Sequence, residues 1–253
     1  MIDKLVATVE QAVDGVRSGH SVAIGGFGRA GIPFTLIDAL CDLGLTDLHV
    51  ISNNAGKDDG GIARLVKERR VRKLTCTFPA HPEFFEQYLG GDVELELVPQ
   101  GTLAERLRAG GSGLGGFYTP TGASTLLAAG GLPTRYDRSG SVLEVQPAKE
   151  VRTIGGAEFV LEYPLRPDVA LVKAYRADRY GNLRFRLSAR NFNPLCAMAA
   201  RLAVVEVEHA EHELTLDPDD IHLPGAFVSR VVRTERRAAS TAARDADVTR
   251  GER

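Results

Sequence analysis

Apolar residues along this chain switch repeatedly between two periods. Ser21-Val-Ala-Ile24, Leu48-His-Val-Ile51 and residues 71–78 are short apolar runs of strand length, while Val93, Leu95 and Leu97 alternate with Glu94 and Glu96 as a half-buried strand does. Between these runs the period lengthens. Leu5, Val9, Ala12, Val13 and Val16 predict a helix over 5–16 that stops at Ser18-Gly19. Pro33 suits a first helical turn, and Leu36, Ile37, Leu40 and Leu43 make the stripe of a second helix that ends before Gly44. Ile62, Leu65 and Val66 predict another, as does 84–89. Thr102-Leu-Ala-Glu105 is a capping box, so Thr102 is expected to start a helix running through Ala109.

Strands alternating with helices predict an α/β fold: an open, mostly parallel sheet with helices on both faces. The later part reads as richer in strands, with candidates at 158–162, 169–174, 183–186 and 202–207. No internal repeat is visible. From Thr234 the chain is Thr-Glu-Arg-Arg-Ala-Ala-Ser-Thr-Ala-Ala-Arg, which lacks the large apolar residues needed to build a core. One domain is therefore expected over 1–233, followed by a frayed or disordered polar tail over 234–253.

Charge and composition narrow the function. The 31 basic and 33 acidic side chains leave a formal net charge of −2, which provides no electrostatic footprint for nucleic acid or for a polybasic membrane contact. Cys41, Cys76 and Cys196 are odd in number, far apart and in no C-x-x-C pair, as expected of buried thiols in a reducing compartment. No apolar run approaches the ~20 residues that span a bilayer, and the first residues lack a signal-peptide pattern. The reading is of a soluble cytoplasmic protein.

The candidate chemistry begins at Gly25-Gly-Phe-Gly-Arg-Ala-Gly31, where four glycines fall within seven residues directly after a strand. Glycines there let backbone N–H groups come close to a ligand. Gly26, Gly28 and Gly31 also match G-x-G-x-x-G, the dinucleotide pattern. A dinucleotide site requires a carboxylate at the end of the next strand to hold the ribose. That strand ends in Ser52-Asn53-Asn54-Ala55-Gly56, and Asp47 precedes it. Gly111, Gly113 and Gly116 match the same pattern elsewhere, so it carries little weight alone.

Two further loops follow strands: Asn53–Gly56 and Pro99-Gln100-Gly101. Taken singly, each reads as turn chemistry. Three such loops at strand ends, where open α/β sheets bind ligands, read as one site lined by N–H groups and the amides of Asn53, Asn54 and Gln100. Such a set can hold a carboxylate or a thioester carbonyl but supplies no acid, base or nucleophile. His209-Ala-Glu-His212 has a spacing that could ligate a metal but lacks a third ligand, and among Glu206, Glu208, Glu211 and Glu213 it reads as a solvated face. No metal is expected. For Ser188-Ala-Arg-Asn191-Phe-Asn193 two readings stand, a structural turn or an interface.

These segments together resemble the signature blocks of the family I coenzyme A transferases. Gly25–Pro33 is similar to the family's first signature. Ser52–Gly56, Val98-Pro-Gln-Gly-Thr-Leu-Ala-Glu-Arg106, Phe117-Tyr-Thr-Pro-Thr-Gly122, Ala170–Ala174 and Ser188–Phe192 follow in the family's order. The resemblance is to the α (A) subunit; it covers about residues 2–233. It implies the open α/β sheet of the coenzyme A transferase superfamily and, for a partner, a β (B) subunit in an α2β2 assembly. It also implies an acyl-CoA and a 3-oxoacid as substrates, with no permanently bound cofactor. In the family a glutamate attacks the acyl-CoA, passing through a mixed anhydride to a glutamyl–CoA thioester. That glutamate lies in a Ser-Glu-Asn-Gly motif of the β partner. No such motif occurs in this sequence, so the chain is expected to be inactive alone. Carried over by position, Gly25, Gly26, Phe27, Gly28, Arg29, Ala30 and Gly31 would form the CoA loop. Arg29 falls at a variable position and is given no role of its own. Asn53, Asn54 and Gln100 would line the pocket for the oxoacid.

Pro82–Leu89 and Asp220–Pro224 resemble succinyl-CoA:3-oxoacid transferases of acetoacetate type. Gly115–Gly122 and Ala174–Asn182 resemble the 3-oxoadipate branch. The first is favoured and the second stands as the alternative. A ligand-sensing domain is a weaker reading, because no basic helix-turn-helix precedes the core.

Overall fold

The short apolar runs pair as parallel neighbours in a computed structural model that describes residues 3–56, 60–210 and 216–235. The elements in chain order begin β1 (Leu5–Val6), α1 (Val9–Val13), β2 (Ser21–Ile24), α2 (Phe34–Asp42), β3 (Leu48–Ile51), α3 (Ile62–Lys67), β4 (Val71–Cys76), α4 (Pro82–Leu89), β5 (Glu94–Leu97) and α5 (Gln100–Gly111). They continue with β6 (Phe117–Thr119), α6 (Leu126–Ala129), β7 (Pro133–Tyr136), β8 (Val142–Val145), β9 (Val151–Ile154) and β10 (Ala157–Glu162). The last are β11 (Val169–Ala177), β12 (Leu183–Arg184), α7 (Asn193–Ala199), β13 (Leu202–Ala210) and β14 (Arg230–Arg233).

The main sheet has the order β1-β14-β13-β11-β2-β3-β4-β5, with every neighbouring pair parallel; β12 adds to β11 antiparallel. From β2 the chain steps outward to β5, then returns to lay β11 on the other side of β2. The strand order therefore reverses between β2 and β11, and at such a point loops diverge and leave a crevice at the carboxyl ends. Helices cover both faces. One core joins Leu36, Ile37 and Leu40 of α2 to Leu65 of α3 and Phe84 of α4, and the other joins Leu103 and Leu107 of α5 to Cys196 and Ala197 of α7. The central strands are buried on both sides, so they read as continuous apolar runs.

Two expected elements come out differently. Leu5 and Val6 are not helical: they pair with Val231 and Val232 as a parallel edge strand, and α1 begins only after Thr8, whose hydroxyl accepts from the Gln11 N–H at 3.3 Å. Pairing with a strand near the far end of the described chain overrides the local period. Thr102 does not start α5 either. That helix begins at Gln100 after Pro99, and the Thr102 hydroxyl is buried with no hydrogen-bond partner among the described residues. Glu105 pairs with Arg108 at 2.7 Å instead of reaching back to the cap.

The strand-rich character begins earlier than expected. Residues 117–162 form an insertion of two small antiparallel sheets, β6-β10-β9 and β7-β8. Most of the region expected as a tail, 236–253, lies outside the described residues, as does His212.

Candidate functional site

β2 ends at Ile24, and the chain leaves the sheet through the glycine loop at the switch point. The Gly25 N–H still donates to Leu171 O of β11 at 3.0 Å. Next, Phe27 and Ala30 exchange two backbone hydrogen bonds of 3.0 Å each, which folds the loop into a tight hairpin with Gly28 and Arg29 at its tip. Gly28 takes φ +60° in open space, so its backbone conformation, not crowding, calls for glycine. Gly25 is different. A Cβ there would lie 1.9 Å from Asn193 Oδ1, so the strand end and the 188–193 turn touch backbone to side chain. Phe27 is half exposed beside the tip.

That turn, left open between two readings by the sequence, holds the loop. The Asn191 Oδ1 atom accepts from Gly26 N–H at 3.1 Å, and its Nδ2 donates to Ala30 O at 3.0 Å. Asn193, fully buried, donates from Nδ2 to Gly31 O at 2.9 Å and to Ala189 O at 2.8 Å, while its Oδ1 accepts from Lys173 N–H at 2.9 Å. Thus three of the glycine loop's polar groups are satisfied by asparagine side chains 161 or more residues downstream.

Beneath the loop lies a second network that periodicity did not reveal. Lys173 Nζ of β11 contacts Glu206 Oε1 of β13 at 3.0 Å, and Glu206 Oε2 accepts from Leu36 N–H at 3.0 Å in the first turn of α2. Burial pushes the Glu206 carboxyl upward, against the pull of Lys173 and the helix N–H groups. A carboxylate at a helix N-terminus complements the dipole and satisfies an otherwise orphaned donor. With both oxygens engaged and 1% exposure, Glu206 is no nucleophile for a substrate at the rim.

On the neighbouring strand ends the amides meet. Ser52 Oγ donates to Ile24 O at 3.2 Å and ties the end of β3 to the glycine loop's entry. Asn53, 8% exposed, has its backbone carbonyl occupied by the N–H groups of Thr77 and Phe78, at 3.2 and 3.1 Å. Its Oδ1 accepts from Gln100 Nε2 at 3.0 Å. Asn53 Nδ2 and Gln100 Oε1 have no hydrogen-bond partner among the described residues, so the pair keeps one donor group and one acceptor for a ligand. Asn54 stands apart, since its Oδ1 is spent locally on Gly56 N–H at 2.8 Å in an Asx turn. No hydrogen bond links the hairpin to the amide pair among the described residues; β2 to β5 spans roughly 15 Å at the normal strand spacing.

The floor under the amides is polar too. His49 Nε2 is 2.8 Å from Thr75 Oγ1, which donates to Glu96 Oε2 at 2.9 Å; Glu96 Oε1 accepts from Arg106 at 2.7 Å. Burial pushes Glu96 up, but Arg106, Lys73 and Thr75 together outweigh it and hold the carboxyl at about 2. Burial and then Lys73 lower the His49 imidazole to about 4, so it is neutral near pH 7. All three cysteines are buried, and desolvation pushes the Cys41 thiol up to about 11 and those of Cys76 and Cys196 to about 12, so none is an active nucleophile.

The arrangement can therefore bind and orient a carbonyl or carboxylate. A dinucleotide reading fails here on geometry: β3 ends at Ile51 and runs into Ser52-Asn53 with no carboxylate, and three residues separate the hairpin from α2. Among the described residues no cluster suits a metal, and no helix is long and apolar enough to cross a membrane.

Comparison with known proteins shows the family. Residues 6–234 match the model of the family described as Coenzyme A transferase. The chain is 51% identical over 232 residues to the A-type subunit of the probable succinyl-CoA:3-ketoacid coenzyme A transferase of Mycobacterium tuberculosis, covering 91% of this chain and 94% of that protein. It is 45% identical over 247 residues to the A-type subunit of the 3-oxoadipate CoA-transferase of Pseudomonas putida, covering 96% and 99%. The solved acyl-CoA transferase of Escherichia coli O157:H7, in a thioester complex with CoA, superposes with a TM-score of 0.77 at 21% identity. The match covers 93% of this chain but only 48% of that one, so this chain spans about half of that structure.

Proposed function

Because the chain belongs to the coenzyme A transferase family, we propose that it is the α subunit of a heteromeric enzyme that moves CoA from succinyl-CoA to a 3-oxoacid of acetoacetate type. The observation that carries this reading is the 51% identity, over nine-tenths of the chain, to the corresponding subunit of a transferase with that named activity. In this reading the Gly25–Gly31 hairpin receives the acyl-CoA, with Phe27 offering an apolar surface and the tip offering backbone. Asn53 and Gln100 orient the oxoacid carboxylate through the amide donor and acceptor left open, and Asn54 supports the turn beside them. Positioning of this kind lowers the barrier by removing the entropy of encounter.

The nucleophile comes from the β subunit. Its glutamate carboxylate attacks the thioester carbonyl and expels CoA thiolate, leaving a mixed anhydride; the thiolate then attacks the glutamyl carbonyl and releases succinate. The oxoacid carboxylate repeats these steps in reverse on the glutamyl–CoA thioester. No Ser-Glu-Asn-Gly occurs in the 253 residues, and the carboxylates of Glu206 and Glu96 below the rims are engaged. An α2β2 complex in the cytoplasm is the assembly we favour.

The test is acyl transfer from succinyl-CoA by this chain alone and by the chain co-expressed with a β-type partner. Transfer by the pair only, with parallel-line (ping-pong) kinetics, is the expected result. Transfer by this chain alone would place the nucleophile here and overturn the division of roles. Competing acetoacetate against 3-oxoadipate chooses between this acceptor and the alternative suggested by the 45% identical relative.

A further inference from the structure

We propose that Asn191 is the positioning residue of the glycine hairpin, acting through the backbones of Gly26 and Ala30 to present the hairpin tip to the acyl-CoA. The inference rests on the functional reading above and adds to it a residue outside the three loops. One amide bridges both arms of the hairpin: Oδ1 takes Gly26 N–H at 3.1 Å before the tip, and Nδ2 gives to Ala30 O at 3.0 Å after it. The same amide is tied into its own turn, accepting from Phe192 N–H at 2.7 Å and donating to Ser188 O at 2.7 Å. Its orientation is thus set by the turn and imposed on the hairpin.

Two features separate this residue from general packing. Asn193 carries the structural load, being fully buried against Gly25 and Gly31, whereas Asn191 is half-buried and, among the described residues, bonds only its own turn and the hairpin. The turn is also held in an unusual backbone state. Leu187 takes φ +50° with 86% of its surface exposed, a conformation uncommon for any residue but glycine.

The experiment uses the α–β complex with Asn191→Ala and Asn191→Asp. Aspartate keeps the acceptor for Gly26 N–H but sets a carboxylate oxygen against the carbonyls of Ala30 and Ser188, so it should not recover the loss. For Asn191→Ala we expect kcat/KM for succinyl-CoA to fall about 10- to 100-fold, mostly through KM, as the two neutral hydrogen bonds that hold the hairpin are lost with the two that hold the amide in its own turn. The KM for the 3-oxoacid should stay within about twofold and Tm within about 3 °C, the shift expected of a local change in a chain of this size. Hydrogen exchange in the peptide containing Gly26 should quicken. Unchanged succinyl-CoA parameters, or an equal loss for both substrates together with a large fall in Tm, overturns the proposal. If the wild-type pair moves no CoA to any 3-oxoacid, the functional reading fails, and the Gly26 exchange then decides alone. Faster exchange in Asn191→Ala supports the clamp, and unchanged exchange overturns it.

Discussion

The two rims proposed for this site, one after β2 and one after β3 and β5, lie along the same edge of the sheet and are built on opposite principles. At the end of β2 the hairpin offers backbone, and its shape comes from what packs behind it: Asn193 against Gly25, Asn191 across Gly26 and Ala30, and the Lys173–Glu206 pair under α2. At the ends of β3 and β5 the proposed ligand groups are side chains, and Asn53 and Gln100 retain open hydrogen-bonding capacity among the described residues. A backbone site is fixed by shape and fails when the fold around it is disturbed. A side-chain site can lose its chemistry while the fold stands.

The sharpest break between the rims should come from Gly25→Ala. The new methyl would meet the buried Asn193 amide at 1.9 Å, and relieving that clash disrupts the amide's bonds to Gly31, Ala189 and Lys173. We expect a loss above about 3 kcal/mol, seen as a lowered urea midpoint or as insoluble chain.

Acid should act on the amide side. His49 is held at about 4, below its unfolded value near 6.5, so the unfolded chain binds the extra proton between those pH values and stability falls as pH drops through them. Full stability from this group is present above about pH 6.5, and at pH 5 about 2 kcal/mol of it is gone. Glu96, held at about 2, adds a second loss as pH falls from about 4.3 towards 2. Denaturant unfolding from pH 7 to pH 4 should show the first decline, and His49→Asn should flatten it.

Gln100→Ala tests the rim that should lose function without losing the fold. The side chain is exposed, so transfer should fall about tenfold, with KM for the 3-oxoacid rising and the urea midpoint unmoved. A fall in succinyl-CoA affinity instead would mean the two rims share one ligand.

The smallest effect belongs to Gly28→Ala. The position has open space around it and φ +60°, so only backbone strain is added, about 1 kcal/mol. Stability should drop slightly in thermal melts while the complex stays assembled. Comparison with Gly25→Ala then separates conformational glycines from packing glycines within one loop.

Much of the frame was legible from local pattern. The runs at 21–24, 48–51 and 94–97 became strands, the stripe Leu36-Ile37-Leu40 became the buried side of α2, and the glycine loop fell where the strand order reverses. The misread elements have two different causes, one distant in the chain and one local. Leu5 and Val6 carry a helical period and still join the sheet because Val231 and Val232 offer an edge. Thr102 carries a capping-box pattern, yet Pro99 has already started the helix and the hydroxyl is buried.

The order of residues alone sets the alternation of strands and helices, the glycines at a strand end, and the lack of a Ser-Glu-Asn-Gly motif. Each of these follows from residues close together in the chain, because backbone conformation and side-chain period are local properties. Which amides meet is settled only once the sheet is assembled. Gln100 reaches Asn53 across 47 residues and Asn191 reaches Gly26 across 165, pairings set by strand order and register. A hydrogen bond of about 3 Å between such residues exists only after the whole sheet has fixed the position of both ends, so no local pattern announces it.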